Sequence, residues 1–432
     1  MKKQLLKSTV VLATAALGLV ACSNNSNEGT DPTPSNDGKQ EVLEFYHGYF
    51  HNEDEWPVAK VMRDLYDDFA KQHEDGPVQF KPTPVSGSLV DIMNNKVASG
   101  QFPDMIDLAG NAVSLAAIEQ DLVLDLKPYI DENNLQKNVG LNYTQNLVDG
   151  KLFTVHDQMF TMGLWYNKDI FEATGAKTPE EWNDWSAFSS AMEQVRTDKG
   201  IYAFGAGEPA IRLLNTALAE TEEGRKLLEQ PLTEEGIKSV AFTNALTTVM
   251  TAVNQNGAQN SGGSADTYSA DFVQNKSAVF FNGVWAAGGV VENPAIAPGL
   301  YPGHVAISSC GGGMTISSSM SKEKQELALE FLKYMTSDEV QKVIFEKVGA
   351  NPANENINVA ELAEHSDDPT VKLLGTAIAQ VKNADYAVKT INDAWGGDVR
   401  STLINALSES AASSDVNQKV QETQDTLIAL IN

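Results

Sequence analysis

The sequence has few cysteines, few basic residues and little continuous apolar sequence. Its two cysteines are Cys22 and Cys310. Because Cys310 is the only cysteine after residue 22, the chain beyond that point can form no internal disulfide, and packing must hold the fold together. The 31 basic residues face 58 acidic ones, giving a formal net charge of −27. A basic nucleic-acid footprint is therefore absent, and no nucleic-acid partner is expected. After the first 22 residues, no apolar run is long enough for a membrane helix.

Motifs for cofactor and metal chemistry are also missing. Neither Gly-x-x-x-x-Gly-Lys nor Gly-x-Ser-x-Gly occurs, and Gly205-Ala-Gly207 lacks the third glycine of a dinucleotide loop. His47 and His51 have the i, i+4 spacing of a metal pair, but Gly48 and the preceding strand pattern predict a loop, where that spacing does not align two ligands. We expect no cofactor, no metal and no enzymatic activity.

The N-terminus has the pattern of an export signal. Lysines at 2, 3 and 7 precede an apolar stretch over 10–20 that ends in Leu-Val-Ala-Cys22. About 11 apolar residues rise about 17 Å as a helix, short of a membrane core of about 30 Å. The small residues before Cys22 resemble the lipobox of bacterial lipoproteins, in which this cysteine is lipidated. Residues 1–22 are thus predicted to be a signal peptide and Cys22 a membrane anchor on the extracytoplasmic face.

Residues 23–40 have nothing to bury. This segment contains no aliphatic or aromatic residue, so we expect a flexible tether with a reach of about 20–25 Å. A folded body held this close to the membrane implies a membrane partner.

From Val42 onward, strand patterns alternate with helix patterns. Alternating apolar residues over 42–46, 78–80 and 104–108 predict strands, and 3.6-residue periodicity after each predicted strand indicates helices. This order is typical of α/β folds. Roughly 390 residues exceed what one core usually supports, so two lobes are expected.

Three ordered motifs cover the folded region. Residues 165–171 read Trp-Tyr-Asn-Lys-Asp-Ile-Phe, and Pro179-Glu-Glu-Trp182 follows them. Residues 272–285 run from Phe-Val-Gln-Asn-Lys-Ser-Ala to Asn-Gly-Val-Trp, and residues 311–322 begin Gly-Gly-Gly-Met-Thr-Ile. Together the motifs resemble the solute-binding proteins of ABC importers typified by maltose-binding protein.

The resemblance implies a two-lobed, type II periplasmic-binding-protein fold with a ligand cleft between the lobes. We expect an N-terminal lobe of residues 41–155 plus 303–336 and a C-terminal lobe of 156–302 plus 337–432. The implied function is capture of a sugar or oligosaccharide by a monomer, which delivers it to the importer's permease subunits.

Two tryptophans are the expected sugar-stacking residues. Trp285 follows Asn282-Gly283 at the end of an apolar run, where the glycine permits a sharp turn. Trp395 precedes Gly396-Gly397 and is similar to the late tryptophan that stacks on sugar in the family. An indole face suits the apolar C–H surface of a sugar ring; the alternative for each tryptophan is a place in the core.

Polar residues at predicted strand ends complete the expected ligand site. In the first lobe these are His47, Tyr49 and Asn111, placed like the family's hydroxyl-binding residues. The first loop of maltose-binding protein has an Asp-Lys pair where this sequence has Tyr49 and Phe50. In the second lobe, Asp157 and its neighbour His156 lie where the chain crosses between lobes. Gly312 permits close backbone approach to a ligand, or simply a turn.

Two alternatives remain open at this point. A glycoside hydrolase needs two carboxyl groups at a defined separation; Asp104, Asp107 and Asp157 are candidates, but no specific pair is evident among so many acids. A binding protein for a polyamine or another cation would instead place carboxylates around aromatic faces.

Overall fold

The computed structural model describes residues 40–196, 200–257 and 265–431. Cys22, the predicted signal peptide and residues 23–39 of the predicted tether lie outside this part. Within the described ranges, no helix combines the length and apolar character needed to cross a membrane.

The strands are β1 (Glu41–His47), β2 (Val78–Pro84), β3 (Met105–Asp107), β4 (Leu147–Val148), β5 (Lys151–Leu152), β6 (Gln158–Met162), β7 (Leu164–Asn167), β8 (Val279–Phe280), β9 (Ile296–Gly299), β10 (Val305–Ser309), β11 (Met314–Ile316), β12 (Asn351–Pro352) and β13 (Tyr386–Val388).

The α-helices of the first half are α1 (Pro57–Gln72), α2 (Leu89–Val97), α3 (Leu115–Glu119), α4 (Lys127–Glu132), α5 (Gln136–Val139), α6 (Asn142–Gln145), α7 (Lys168–Thr174), α8 (Trp185–Val195) and α9 (Ile211–Ala219). The later α-helices are α10 (Glu222–Leu227), α11 (Glu234–Lys238), α12 (Val240–Asn256), α13 (Ala265–Val273), α14 (Ala287–Val290), α15 (Lys322–Met335), α16 (Asp338–Val343), α17 (Val359–His365), α18 (Pro369–Lys382), α19 (Ile391–Trp395), α20 (Gly397–Ser410) and α21 (Val416–Ile431). Short 3₁₀ helices occupy Pro179–Glu181, Val284–Ala286 and Pro302–His304, and a π-helical turn occupies Ile344–Val348.

Local sequence explains how several elements begin. Pro57 starts α1, where its missing N–H costs no hydrogen bond. Ser321 is the N-cap of α15 and accepts from the backbone N–H of Lys324 at 3.4 Å. The run Thr336-Ser-Asp-Glu339 matches a capping box and predicts Thr336 as the next N-cap, but Ser337 is the N-cap of α16 and accepts from the backbone N–H of Val340. The capping pattern therefore located this helix to within one residue.

Two larger sheets organise the fold. The first has the order β11-β3-β1-β2, with β1 parallel to β2 and β3. The second has the order β12-β6-β10-β13, with β6 antiparallel to β10 and β10 parallel to β13. A smaller sheet, β8-β7-β9, contains part of the first motif. This architecture confirms the predicted α/β class.

Each larger sheet lies against its own apolar core. The core at the first sheet includes Phe45, Phe80 and Phe331. A second core gathers side chains from β6, β7 and β10 with helices such as α9 and α12. Cys310 is buried, and burial raises the pKa of its thiol.

The structure departs from the sequence pattern near the C-terminus. Periodic apolar residues over 371–431, with little strand signal, predict helices, yet Tyr386–Val388 forms β13 because its backbone pairs with β10. Hydrogen bonding with a distant strand decides this assignment, and local composition does not encode it. The segment 303–336 contributes to both larger sheets, β10 to the second and β11 to the first; the predicted lobe boundaries stay a prediction.

Candidate functional site

The candidate site lies where loops after the strands of the first sheet meet β6 and α19. Because β1 and β3 are parallel, their carboxyl ends lie at one edge of the sheet. Phe45 of β1 pairs with Met105 of β3, and Tyr46 pairs with Ile106. The next residues, His47 and Asp107, are the last of their strands and so lie at this edge. Ligands of α/β proteins commonly bind beyond such an edge.

His47 lies beneath this edge and not on its surface. Its side chain is 0% exposed, and its Nδ1 accepts from the backbone N–H of Tyr49 at 3.2 Å. Burial, with a smaller contribution from Arg63, lowers the pKa of His47 to about 4. Its imidazole is therefore neutral at pH 7 and supports the Tyr49 loop; its predicted ligand contact stays a prediction.

Tyr49 connects the first-sheet loop to β6. Gln158 donates from Nε2 to the Tyr49 hydroxyl at 3.2 Å, and the tyrosine ring stacks on Trp56 with centroids 5.3 Å apart. Sequence reasoning missed both partners: Gln158 lies in β6, which only folding brings to Tyr49, and Trp56 is the N-cap residue of α1 in the same loop region. The Tyr49 ring, only 9% exposed, is thus held in place between a neighbouring aromatic ring and an amide.

Gly312 approaches the loop after β3 closely. Leu108 donates its backbone N–H to Gly313, and Gly110 donates to Gly311, at 3.0 and 3.2 Å. Gly312 has a φ of +58°, and an added Cβ would overlap the backbone of Asn111. The glycine thus permits close approach of two chain segments. The exposed Asn111 side chain donates to the carbonyl of Leu108 at 2.9 Å.

Asp157 belongs to a buried group of acids around His156. Its carboxyl group is 4% exposed, and His156 Nε2 lies 3.9 Å from its Oδ1. Burial raises the pKa of Asp157 to about 6; His156 opposes this shift and Asp107 adds to it. Burial also raises the pKa of Asp107. Both carboxyl groups therefore bind protons more readily than exposed ones.

Trp285 is an exposed aromatic residue of the site. Its side chain is 38% exposed, and it meets Phe160 edge to face with centroids 6.0 Å apart. The indole lies against Gly283, whose carbonyl accepts from Trp165 Nε1 at 3.0 Å. Phe160 itself stacks on His156 at 5.1 Å, so aromatic contacts run from Trp285 to the buried acids.

Trp395 is more tightly engaged than Trp285. Its indole N–H donates to the carbonyl of Leu227 at 2.8 Å, and its ring lies near Phe242. Its neighbours reach the site instead: Asn392 donates to the carbonyl of Gly110, and the Asp393 carboxylate accepts from Ser309. Sequence reasoning identified this segment, which forms α19, but missed Asn392 and Asp393, whose polarity beside Trp395 was the available signal.

The site thus brings His47, Tyr49, Asn111, Asp157, Trp285 and Gly312 to one region, with Trp395 packed beside it. Of the candidate carboxylates for hydrolysis, Asp104 accepts from Lys324 at 2.9 Å, and Asp107 and Asp157 are buried beside His156.

Comparison with known proteins identifies relatives along most of the chain. The Multiple sugar-binding protein of Streptococcus mutans is 22% identical over 308 residues, 67% of this chain and 70% of that protein. The maltodextrin-binding protein MdxE of Bacillus subtilis is 23% identical over 420 residues, 90% of each chain. A solved chitin oligosaccharide binding protein, 19% identical with a TM-score of 0.68 over 89% of this chain and 98% of its own, shares the fold.

A nearer solved structure is a Streptococcus pneumoniae solute-binding protein in complex with the blood group A-trisaccharide. It is 68% identical and has a TM-score of 0.85, covering 90% of this chain and 100% of that chain. This match confirms the predicted periplasmic-binding-protein fold.

The family assignment follows from a match that spans most of the folded region. The model of the bacterial extracellular solute-binding protein family covers residues 56–342. This family consists of binding proteins, which confirms the prediction of a non-enzymatic function and sets the glycoside hydrolase alternative aside. The chain belongs to the bacterial extracellular solute-binding protein family.

Proposed function

We propose that this chain binds an oligosaccharide at the site around Trp285 and delivers it to an ABC importer. The exposed indole of Trp285, backed by Phe160 and beside polar loops, is the observation that carries the sugar assignment. An apolar ring face next to hydrogen-bonding groups matches the two sides of a sugar. The trisaccharide in the 68% identical relative supports the same ligand class.

Closure of two lobes around the ligand is the proposed mechanism. One lobe would contain the first sheet and the other the second sheet, with the Tyr49–Gln158 and Asn392–Gly110 hydrogen bonds between them. The chain would cross between the two lobes three times, first near residue 155. We place the second crossing after β10, because β10 pairs with β6 and β13 of the second sheet. We place the third crossing near Ala350, because residues before it, such as Val340 and Ile344, pack in the core of the first sheet. A sugar that contacts both lobes favours the closed form by its differential affinity.

Delivery is proposed to occur at the membrane surface. Lipidation of Cys22 would hold the chain on the extracytoplasmic face, and residues 23–40 would tether the folded body. The permease subunits of an ABC importer would then recognise the closed, loaded protein. No covalent chemistry is needed, since capture and release depend on conformational equilibrium alone.

Calorimetry over a panel of mono- and oligosaccharides, including the blood group A-trisaccharide, tests this function. The expected result is stoichiometric binding without turnover, accompanied by a change in tryptophan fluorescence and a smaller scattering radius. No response to any sugar at about millimolar concentration, near the weak end of specific binding, would refute the sugar assignment. A salt-sensitive response to spermidine alone would favour a cationic ligand.

A further inference from the structure

Two arginines, on helices near the candidate site, both pair with one carboxylate. Arg212 of α9 and Arg400 of α20 each donate from Nη2 to Oε1 of Glu208, both at 3.2 Å. Arg212 also donates from Nη1 to the Glu208 backbone carbonyl at 3.1 Å. Glu208 therefore fixes the orientation of the Arg212 guanidinium group.

One donor of this arrangement has no partner within the described part of the chain. Arg212 is 8% exposed, and its buried Nε makes no hydrogen bond there. The buried hydroxyl of Tyr301 has none either, and it is close enough to Arg212 for the guanidinium to lower the pKa that burial raises. A buried unpaired donor costs about 1–3 kcal/mol, so such a group in a folded protein calls for an explanation.

The local charge favours an electron-rich ligand group. Two guanidinium groups pair with a single carboxylate, which leaves one positive charge in excess although the chain carries a formal −27. Burial lowers the pKa of Arg400, and the neighbouring Arg212 lowers it further against the effect of Glu208. An acceptor oxygen with partial or full negative charge would offset this excess.

A small cavity lies beside the arginine pair. Its volume is about 50 Å³, far below the roughly 300 Å³ at which pockets for drug-sized ligands begin. Its lining includes Arg212, Arg400, Asn215, Thr390 and Asn392. A cavity needs about 10–15 Å³ of such volume to hold one water. The cavity is therefore too small for a sugar ring and matches a substituent of a few atoms.

The cavity lies on the same face of the second sheet as the aromatic residues of the site. Met162 lines it, and Phe160 is two residues earlier on β6, so both side chains point to one face. Positions two apart on a strand are separated by about 6–7 Å, comparable to the width of a substituted sugar ring. Phe160 contacts Trp285. A sugar ring stacked on the Trp285 indole would therefore lie on the same face of the sheet as the cavity.

We propose that Arg212, supported by Arg400 and Glu208, binds a planar oxygen acceptor carried by the sugar. The group is the carbonyl of an acetamido substituent or the carboxylate of a uronic acid. Both offer sp² oxygens to the guanidinium N–H groups, which a hydroxyl or a bare ring does not match in geometry. This inference rests on the proposed sugar-binding function and names the substituent that the site selects.

Titration calorimetry with matched sugars tests the proposal on the full mature chain. N-acetyllactosamine is compared with lactose, and digalacturonic acid with galactobiose, together with the sugars that bind in the broader panel. The wild type should prefer at least one acceptor-bearing sugar over its matched counterpart by about tenfold or more, the usual size of a charged hydrogen bond. The two pairs separate an acetamido from a carboxylate ligand.

Arg212→Met should abolish this preference while changing the affinity for sugars without an acceptor less than about twofold. Arg212→Lys keeps the charge but loses the guanidinium fork, and should also reduce the preference for the acceptor-bearing sugar. If circular dichroism shows that either variant fails to fold, Arg400→Met replaces it in the same titrations. Arg225→Met is the control, because Arg225 donates to the Ala219 carbonyl and lies over Tyr386.

The outcomes separate the two proposals. If no sugar binds the wild type, the proposed function fails. If sugars bind but the wild type shows no preference for an acceptor-bearing sugar, or Arg212→Met weakens all sugars equally, the arginine proposal is overturned while sugar binding stands.

Discussion

The ring of Trp285 is exposed enough to contact a sugar. It is 38% exposed, in contrast to the fully buried Trp182. Trp285→Ala should weaken sugar binding about tenfold or more, the loss typical of an aromatic anchor, with little loss of stability because the ring is partly solvated. Calorimetry and urea unfolding measure the two effects separately.

The matched control is Tyr386→Ala, since Tyr386 is also an exposed aromatic residue and its ring is covered by Arg225. It should leave sugar affinity unchanged. Equal affinities of wild type and Trp285→Ala would remove the stacking platform from this position. The same titration on Trp395→Ala tests the other predicted tryptophan contact.

Protonation of Asp157 predicts a pH-dependent stability difference. Burial raises its pKa from 3.8 to about 6, so the folded state binds a proton that the unfolded state releases in this window. Its contribution to stability is therefore present at low pH and is lost as pH rises through about 6. Asp157→Asn avoids this cost and should be more stable than wild type at about pH 7.5, by on the order of 1–3 kcal/mol.

Urea unfolding at about pH 4 and about pH 7.5 measures this difference. His47 titrates in an overlapping window with the opposite sign, because its lowered pKa makes stability fall as pH decreases from 6.5 to about 4. The variant and wild type share His47, so its effect cancels in their difference. A stability gap that does not grow with pH would contradict the assigned shift of Asp157.

At the scale of elements, the loop 311–313 depends on glycine for two different reasons. Gly312 combines a φ of +58° with close backbone approach to Asn111, whereas Gly100 has a φ of +71° and open space around it. Gly100→Ala should cost only the left-handed strain of about 1–2 kcal/mol. Gly312→Ala should cost more and also weaken sugar binding, because the loop bearing Asn111 must move.

Unfolding and calorimetry on both variants check this comparison. Gly100→Ala is the control for backbone strain alone. Equal losses of stability in the two variants, with unchanged sugar affinity, would show that the contact between these loops contributes nothing beyond strain.

Element positions were largely predictable, but their partners were not. Alternating apolar residues identified β1, β2 and β3, and the periodicity after each predicted the helices, because these signals lie within one element. β13 was missed because Tyr386–Val388 is a strand only through pairing with β10, about 80 residues away in sequence.

At the scale of the whole molecule, membrane attachment should depend on one of the two cysteines. Cys22→Ala should abolish labelling by radioactive palmitate, because it removes the thiol that is acylated. Cys310→Ala is the matched control and should leave labelling unchanged, because Cys310 is buried in the fold. Palmitate labelling with immunoblotting measures both variants; continued labelling of Cys22→Ala would contradict the anchor.

The sequence alone determined the α/β class, the family and the tether expectation, because each depends on periodicity, motif order or composition along a continuous stretch. Strand ends also identified most residues now found around the site. Only the tertiary structure decided that His47 is neutral and buried, that Gln158 binds Tyr49, and that Trp285 stays exposed while Trp395 packs. It also joined Arg212 to Arg400 through Glu208. These properties depend on burial and on contacts between residues distant in the chain, which local sequence patterns do not encode.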